Sequence, residues 1–406
     1  MFHLIAIALL LCLNPSRVEQ EAPVRISLFS LFKPEAVNVR VASGAGAGIE
    51  VDGRENIRLE QGETLRVRLA GDHLIVALND PANRLARSVM ARFARVVPSQ
   101  SATLELILPG KIKRVIRGDV VLSPGIGELS GQLKIVLATD RESAVASIVA
   151  AELRGEAAPE AFKTLAVVVR TFMIAHPGRH ADAGFDFCDT THCQLYRGEQ
   201  DLCMESATPV MATAVASTKG EVLSFAGSAV ESYYTASCGG LSATPEMVWG
   251  GKSDGYPIRR VACRWCHGHR NFRWKRSADI GSILSALSGY LGGRFTNAAS
   301  ISTKNEPSSQ FVRAVVLQDG SSQRVISADT FRRAVGLKLG WNTVLSPSFT
   351  IERRGSRFVF RGRGFGSQVG LCLSGAVAQA EAGRSYRDIL SFYFPGSELI
   401  GGVGRE

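Results

Sequence analysis

From Val24 to about Leu137 apolar and polar positions alternate in short runs such as "IRLEQGETLRVRLAG" and "SATLELILPGKIKRVIRGDVVLS", separated by Gly and Pro. A period of two belongs to strands with one buried face, so residues 20–137 are expected to form a β-rich platform. The period changes at Glu142, after which Val145, Ile148, Val149 and Glu152 recur at three- and four-residue steps on one helical stripe. A carboxylate thus stands in an apolar row. Gly155 ends this helix and Pro159 opens the next at its first turn. Phe162, Leu165, Ala166, Val169 and Phe172 give the second helix its apolar face, and Pro177 and Gly178 stop it. Beyond Cys188 come short strands and Gly-rich turns ("SCGGLSA", "VWGGKSDG"), then helices at "SADIGSILSALSGYL" and "ADTFRRAVGL". The tail offers a hairpin, "FTIERRGSRFVFRGRG", an Ala-rich helix near "GAVAQAEAG" and a closing "YRDILSFYFPG". No fixed-period repeat is visible, and the fold class expected is α+β.

The 406 residues exceed one ordinary core, and 45% hydrophobic against 21% charged residues describes a folded chain. A formal charge of +10 attracts polyanions, but the chain has no arginine-rich tract, zinc-finger pair or RNA-binding aromatic signature. Nucleic acid is therefore not the expected partner. The apolar run from Phe2 to Leu13 is too short to span a membrane and suits the core of a signal peptide, or an amphiphilic anchor that tethers the protein to a membrane, over residues 1–19. Its leading region carries little positive charge, and Arg17 follows the apolar run rather than preceding it. An extracytoplasmic location is expected. Leu10 and Leu11 precede Cys12 where a lipoprotein site needs small residues, which argues against lipidation.

Two features carry chemistry. Burial among Val145, Ile148 and Val149 would hold the Glu152 carboxyl protonated near neutrality, ready to donate to a leaving oxygen. Alternatively Glu152 sits at a helix end and pairs with Arg154 or Arg170, the reading that spacing alone favours. Glu142 and Glu156 lie off the stripe and read as surface charges. Secondly, six of the eight cysteines fall between positions 188 and 266. His180, Cys188, His192 and Cys193 supply the two nitrogens and two sulfurs of a structural zinc site, if the chain turns sharply at Asp189, Thr190 and Thr191. His176 could replace His180, and a Cys188–Cys193 disulfide is the alternative. Cys263, Cys266 and His267 spell the haem-attachment pattern, with no lone methionine standing out as distal ligand. Cys203 and Cys372 read as plain buried cysteines.

The stretches "IVAAELRGEAAPEAFKTLAVVVRTF", "FDFCDTTHCQLYRG", "YYTASCGGLSATPEMVWG", "YPIRRVACRWC" and "SYRDIL" occur in that order. Together they resemble the stage II sporulation protein D and amidase-enhancer family over roughly residues 115 to 400. The resemblance implies a mixed α/β domain over 138–400 that is either a peptidoglycan lytic transglycosylase or a peptidoglycan-binding activator of a cell-wall amidase, with Glu152 in the catalytic position. It nominates Arg170, Gln194, Tyr196 and Ser237 as contacts to the glycan strand. An ion pair for Arg170, and turn hydrogen bonds or packing for the other three, are the alternatives. The same resemblance implies zinc at the "CDTTHC" turn, and a disulfide or second zinc joining Cys238 with Cys263 and Cys266. Four protein ligands leave a zinc no open position, which disfavours a zinc hydrolase. The chain departs from the family near its end, where Ser367 and Leu373 replace a histidine and a glutamine of the usual pattern, so activity is in doubt.

Overall fold

The computed structural model describes residues 22–401 except 154–156, 200–208, 251–255, 257, 294, 296–299 and 308–310. The expected leader with Cys12 and Arg17, and Arg154, Glu156 and Cys203, lie outside the described residues. No described helix is long and apolar enough to cross a membrane.

The β-rich platform forms two sheets. One runs in the order Phe187–Cys188, Val24–Ser27, Leu133–Thr139, Asp119–Pro124, Ala94–Pro98, Ala47–Val51 and Arg54–Leu59. The other runs Ile112–Ile116, Thr103–Leu108, Ala36–Ser43, Thr64–Ala70, His73–Asn79 and Leu85–Ala91, antiparallel throughout. The alternation that predicted them is visible in Thr64–Ala70, where Leu65 and Val67 are buried while Arg66 and Arg68 face solvent.

The helices are α1 (Arg141–Glu152), α2 (Pro159–Ala175), α3 (Pro209–Ser217), α4 (Pro245–Trp249), α5 (Ile280–Leu291), α6 (Ala328–Leu339), α7 (Leu373–Glu381) and α8 (Tyr386–Tyr393). With the sheets they make an α+β fold. Asp140 starts α1 by accepting from the Ser143 N–H at 3.1 Å, and Pro159 occupies the first turn of α2. Helices α3 and α4 were not expected: they are short and fall in the region read as strands and turns.

The expected boundary at residue 137 is not a break in packing. Val145, Ile148 and Val149 of α1 and Phe162, Leu165 and Val169 of α2 share one hydrophobic core with Ile26, Val39, Leu106 and Leu122 of the sheets. The chain also returns to the platform at Phe187–Cys188, which lies parallel to Val24–Ser27 with Ser27 opposite Cys188. Within 138–400 a second core stands apart, formed by Trp274, Ile283, Leu287, Val315, Phe331, Phe349 and Phe360. It belongs to α5, α6 and two three-stranded sheets, one of which contains the cationic hairpin Phe349–Arg354 and Arg357–Arg363.

Candidate functional site

Glu152 is the last residue of α1, half-buried where the helix leaves the core. The phenol of Tyr234, on the short strand Tyr234–Thr235, donates to Glu152 Oε1 at 3.1 Å. Burial first, and the adjoining Glu152 carboxylate second, push the Tyr234 phenol well above its ordinary range, so it stays protonated and remains a donor. The backbone of Leu195 also reaches this hydroxyl. A carboxyl group, a neutral phenol and a peptide group from three distant segments therefore meet at one point. Tyr234 is a site residue that the sequence reading missed. It lies in the quoted "YYTASCGG" motif, but nothing in the spacing pairs it with α1.

The nominated glycan contacts lie beneath the surface. Arg170 is 1% exposed, donating to both Glu142 carboxylate oxygens at 2.6 and 2.7 Å and to the Glu221 carbonyl at 2.9 Å. Glu142 is thus the counter-charge of a buried cation rather than a plain surface charge, and Arg170 is committed to Glu142, not to Glu152. This is the ion-pair alternative for Arg170. Tyr196 and Ser237 are also buried, and Gln194 donates to the Val169 carbonyl at 3.3 Å. Among the described residues Gln194 Oε1 and Ser237 Oγ have no hydrogen-bond partner.

His180, Cys188, His192 and Cys193 converge so that their ligand atoms all lie within 4.8 Å of one another. His180 Nε2 is 3.2 Å from Cys193 Sγ, and His192 Nδ1 is 3.7 Å from both sulfurs. Ligands at about 2.0–2.3 Å from a tetrahedral ion sit about 3.3–3.8 Å apart, so the set fits one zinc ion. Both cysteines are free thiols rather than a disulfide. Hydrogen bonding from Cys193, reinforced by His192 and Thr190, pulls the Cys188 thiol down to about 3 against the opposing effect of burial. The Cys193 thiol is driven up by the same neighbour and by burial. Burial lowers the pKa of His180, keeping it the neutral imidazole a metal needs. His176 is not among the converging ligands: its Nδ1 lies 3.0 Å from the Phe172 carbonyl and its Nε2 3.9 Å from Glu231 Oε1.

The turn that gathers these ligands is anchored by a buried pair. Asp189 accepts from the backbone of Phe29 at 2.6 Å and from Arg114 at 2.5 Å, tying the turn to both platform sheets. The second cysteine group differs from expectation. Cys238, Cys263 and Cys266 do come together, but Cys372 joins them, so it is not a plain buried cysteine. His267 is exposed and its ring packs on Phe272, with ring centroids 4.3 Å apart. Gln368, buried with a positive φ, donates to the Cys238 carbonyl at 2.7 Å and accepts from Ser348 at 2.7 Å. It pins the loop after the hairpin against the Cys238 turn, next to Ser367, while Leu373 is buried as the first residue of α7.

Residues 130–225 match the SpoIID family, Stage II sporulation protein. That segment contains Glu152, Arg170, the His180–Cys193 cluster, Gln194 and Tyr196. The chain is 26% identical over 242 residues to an uncharacterized protein of Brachyspira hyodysenteriae, covering 59% of this chain and 61% of that one. It is 26% identical over 270 residues to Stage II sporulation protein D of Bacillus subtilis, covering 64% and 74% of the two chains. It is also 27% identical over 285 residues to the Amidase enhancer of Bacillus subtilis, covering 59% and 38%. The match thus spans about three fifths of the first relative and less of the amidase enhancer. The family read from the motifs is the one found.

Proposed function

We propose that this chain, with its Stage II sporulation protein domain over residues 130–225, is a peptidoglycan lytic transglycosylase working outside the cytoplasm with Glu152 as acid and base. The observation carrying the reading is the Glu152 carboxyl group at the exit of a buried helix, oriented by a phenol kept protonated by burial. Glu152 protonates the glycosidic oxygen between N-acetylmuramic acid and N-acetylglucosamine, leaving an oxocarbenium-like sugar. As carboxylate it then takes the proton from that sugar's 6-hydroxyl, whose oxygen closes the 1,6-anhydro ring. Water is not consumed, so a second carboxylate to activate it is not needed. Tyr234 is a positioning residue that fixes the carboxyl plane.

Zinc held by His180, Cys188, His192 and Cys193 would serve structurally, because four protein ligands fill a tetrahedral ion. Its role is to fix the turn from which Gln194, Leu195 and Tyr196 continue under the site. Purified glycan strands incubated with wild type should yield 1,6-anhydro products, and Glu152→Gln should abolish them. Equal yields from the two proteins would sink the assignment.

A second reading is a peptidoglycan-binding module that activates a cell-wall amidase. It is supported by one relative being named an amidase enhancer. Its mark would be stimulated amidase activity that survives Glu152→Gln, with no anhydro-sugar formed by wild type.

A further inference from the structure

We infer that Cys238, Cys263, Cys266 and Cys372 together hold one zinc ion in an all-sulfur structural site. The four side chains are at most 1% exposed, and their sulfurs all lie within 4.8 Å of one another. Cys238 Sγ and Cys266 Sγ are 3.6 Å apart. Zinc–sulfur bonds of about 2.3 Å put the corners of a tetrahedron about 3.8 Å apart, whereas a disulfide closes to about 2.05 Å. All four are free thiols. The six cysteines among the described residues fall entirely into this group and the His180 group, with none left over.

The surroundings suit thiolates rather than thiols. The Cys238 backbone N–H donates to Cys372 Sγ at 3.3 Å, and the Tyr393 hydroxyl lies 3.2 Å from Cys263 Sγ, placed to donate. Cys372 is the N-cap residue of the nine-residue helix α7 but makes no side-chain cap hydrogen bond there, leaving its sulfur to accept from the Cys238 N–H. Outer donors of this kind tune and orient metal ligands. Gly375, one turn on, has no room for a side chain. A Cβ there would lie 2.1 Å from the Tyr393 hydroxyl, 2.9 Å from Cys263 Sγ and 3.3 Å from Cys372 Sγ. The helix is thereby brought close over the cluster. As zinc enters, the thiols release their protons to solvent and the four thiolates become its ligands. No oxidant is required, while two disulfides would need one.

Elemental analysis of the purified full chain tests this. Cys372→Ser should lose one zinc equivalent relative to its parent, whether the parent is wild type or His192→Ala. Unreduced wild type, denatured with chelator and alkylated at once, should show Cys238, Cys263, Cys266 and Cys372 all alkylated. This second measurement does not depend on a variant folding. Full zinc retention in folded Cys372→Ser, iron in place of zinc, or a disulfide among the four would overturn the inference.

Discussion

Replacing Glu142 by Gln tests whether Arg170 is a structural cation or a contact to glycan. The guanidinium is 1% exposed on its side-chain surface, and its partners are the two Glu142 oxygens and the Glu221 carbonyl. The amide offers one oxygen in place of two and no charge, leaving the Arg170 charge uncompensated where water does not reach. Removing one partner of a buried ion pair costs about 3–5 kcal/mol. Glu142 keeps 25% of its side-chain surface exposed, so its own desolvation is partial and the lower end, about 3 kcal/mol, is expected. Against a total stability of about 5–15 kcal/mol this is a large fraction. Urea unfolding at matched metal content should show a lower midpoint with an unchanged slope. The double variant Glu142→Leu with Arg170→Met should be less destabilised than the sum of the singles, since neither charge is then stranded. A Glu142→Gln midpoint within about 0.5 kcal/mol of wild type, joined to weaker binding of glycan strands, would refute this account and return Arg170 to the substrate.

Tyr234→Phe should lower kcat about tenfold with little change in KM, the worth of one hydrogen bond of about 1–1.5 kcal/mol; a change confined to KM would make Tyr234 a binding group instead. Burial holds His176 below the ordinary imidazole value of about 6.5. The unfolded chain therefore takes up the proton first, and stability should be fullest above that pH and fall as pH drops, until the folded imidazole also protonates. Urea midpoints taken across the window should decline with acidification, less so in His176→Gln, and identical profiles for the two proteins would count against it. Gly375→Ala forces a methyl into the Tyr393 hydroxyl and should cost about 1–3 kcal/mol or more, read by thermal unfolding; an unchanged midpoint would mean that α7 moves away freely.

What the sequence made legible was set by local period. The stripe through Val145, Ile148 and Val149 placed α1, and the alternation in Thr64–Ala70 placed a strand, because both patterns repeat within a few residues. The convergence of Cys188, His192 and Cys193 was also readable, since one turn brings them together. Long-range pairings were not. Glu142 looked like a solvated charge because its partner lies on another helix, and no hydropathy pattern encodes which cation it covers. Cys372 is 134 residues from Cys238, so spacing offered no reason to join it to the others. The second core was hidden for a related reason: its strands and helices have ordinary periodicities, and only tertiary packing separates Trp274 and Phe360 from the core of α1 and α2.

Each cysteine group lies close along the chain to a segment that reaches the Tyr234–Glu152 hydrogen bond. Cys193 lies two residues before Leu195, whose backbone meets the Tyr234 hydroxyl. For the second group, Tyr234–Thr235 pairs in parallel with Leu371–Cys372, with Thr235 opposite Cys372, and the chain reaches Cys238 shortly afterward. Both chain segments flanking the Tyr234–Glu152 hydrogen bond therefore end in a thiol cluster, while α1 itself is held by the hydrophobic core. A carboxyl group at a helix end has rotamer freedom that the apolar stripe alone does not remove. Fixing its partner from both of these segments supplies that restraint. Gln194 and Ser237, both buried, lie on these same two segments.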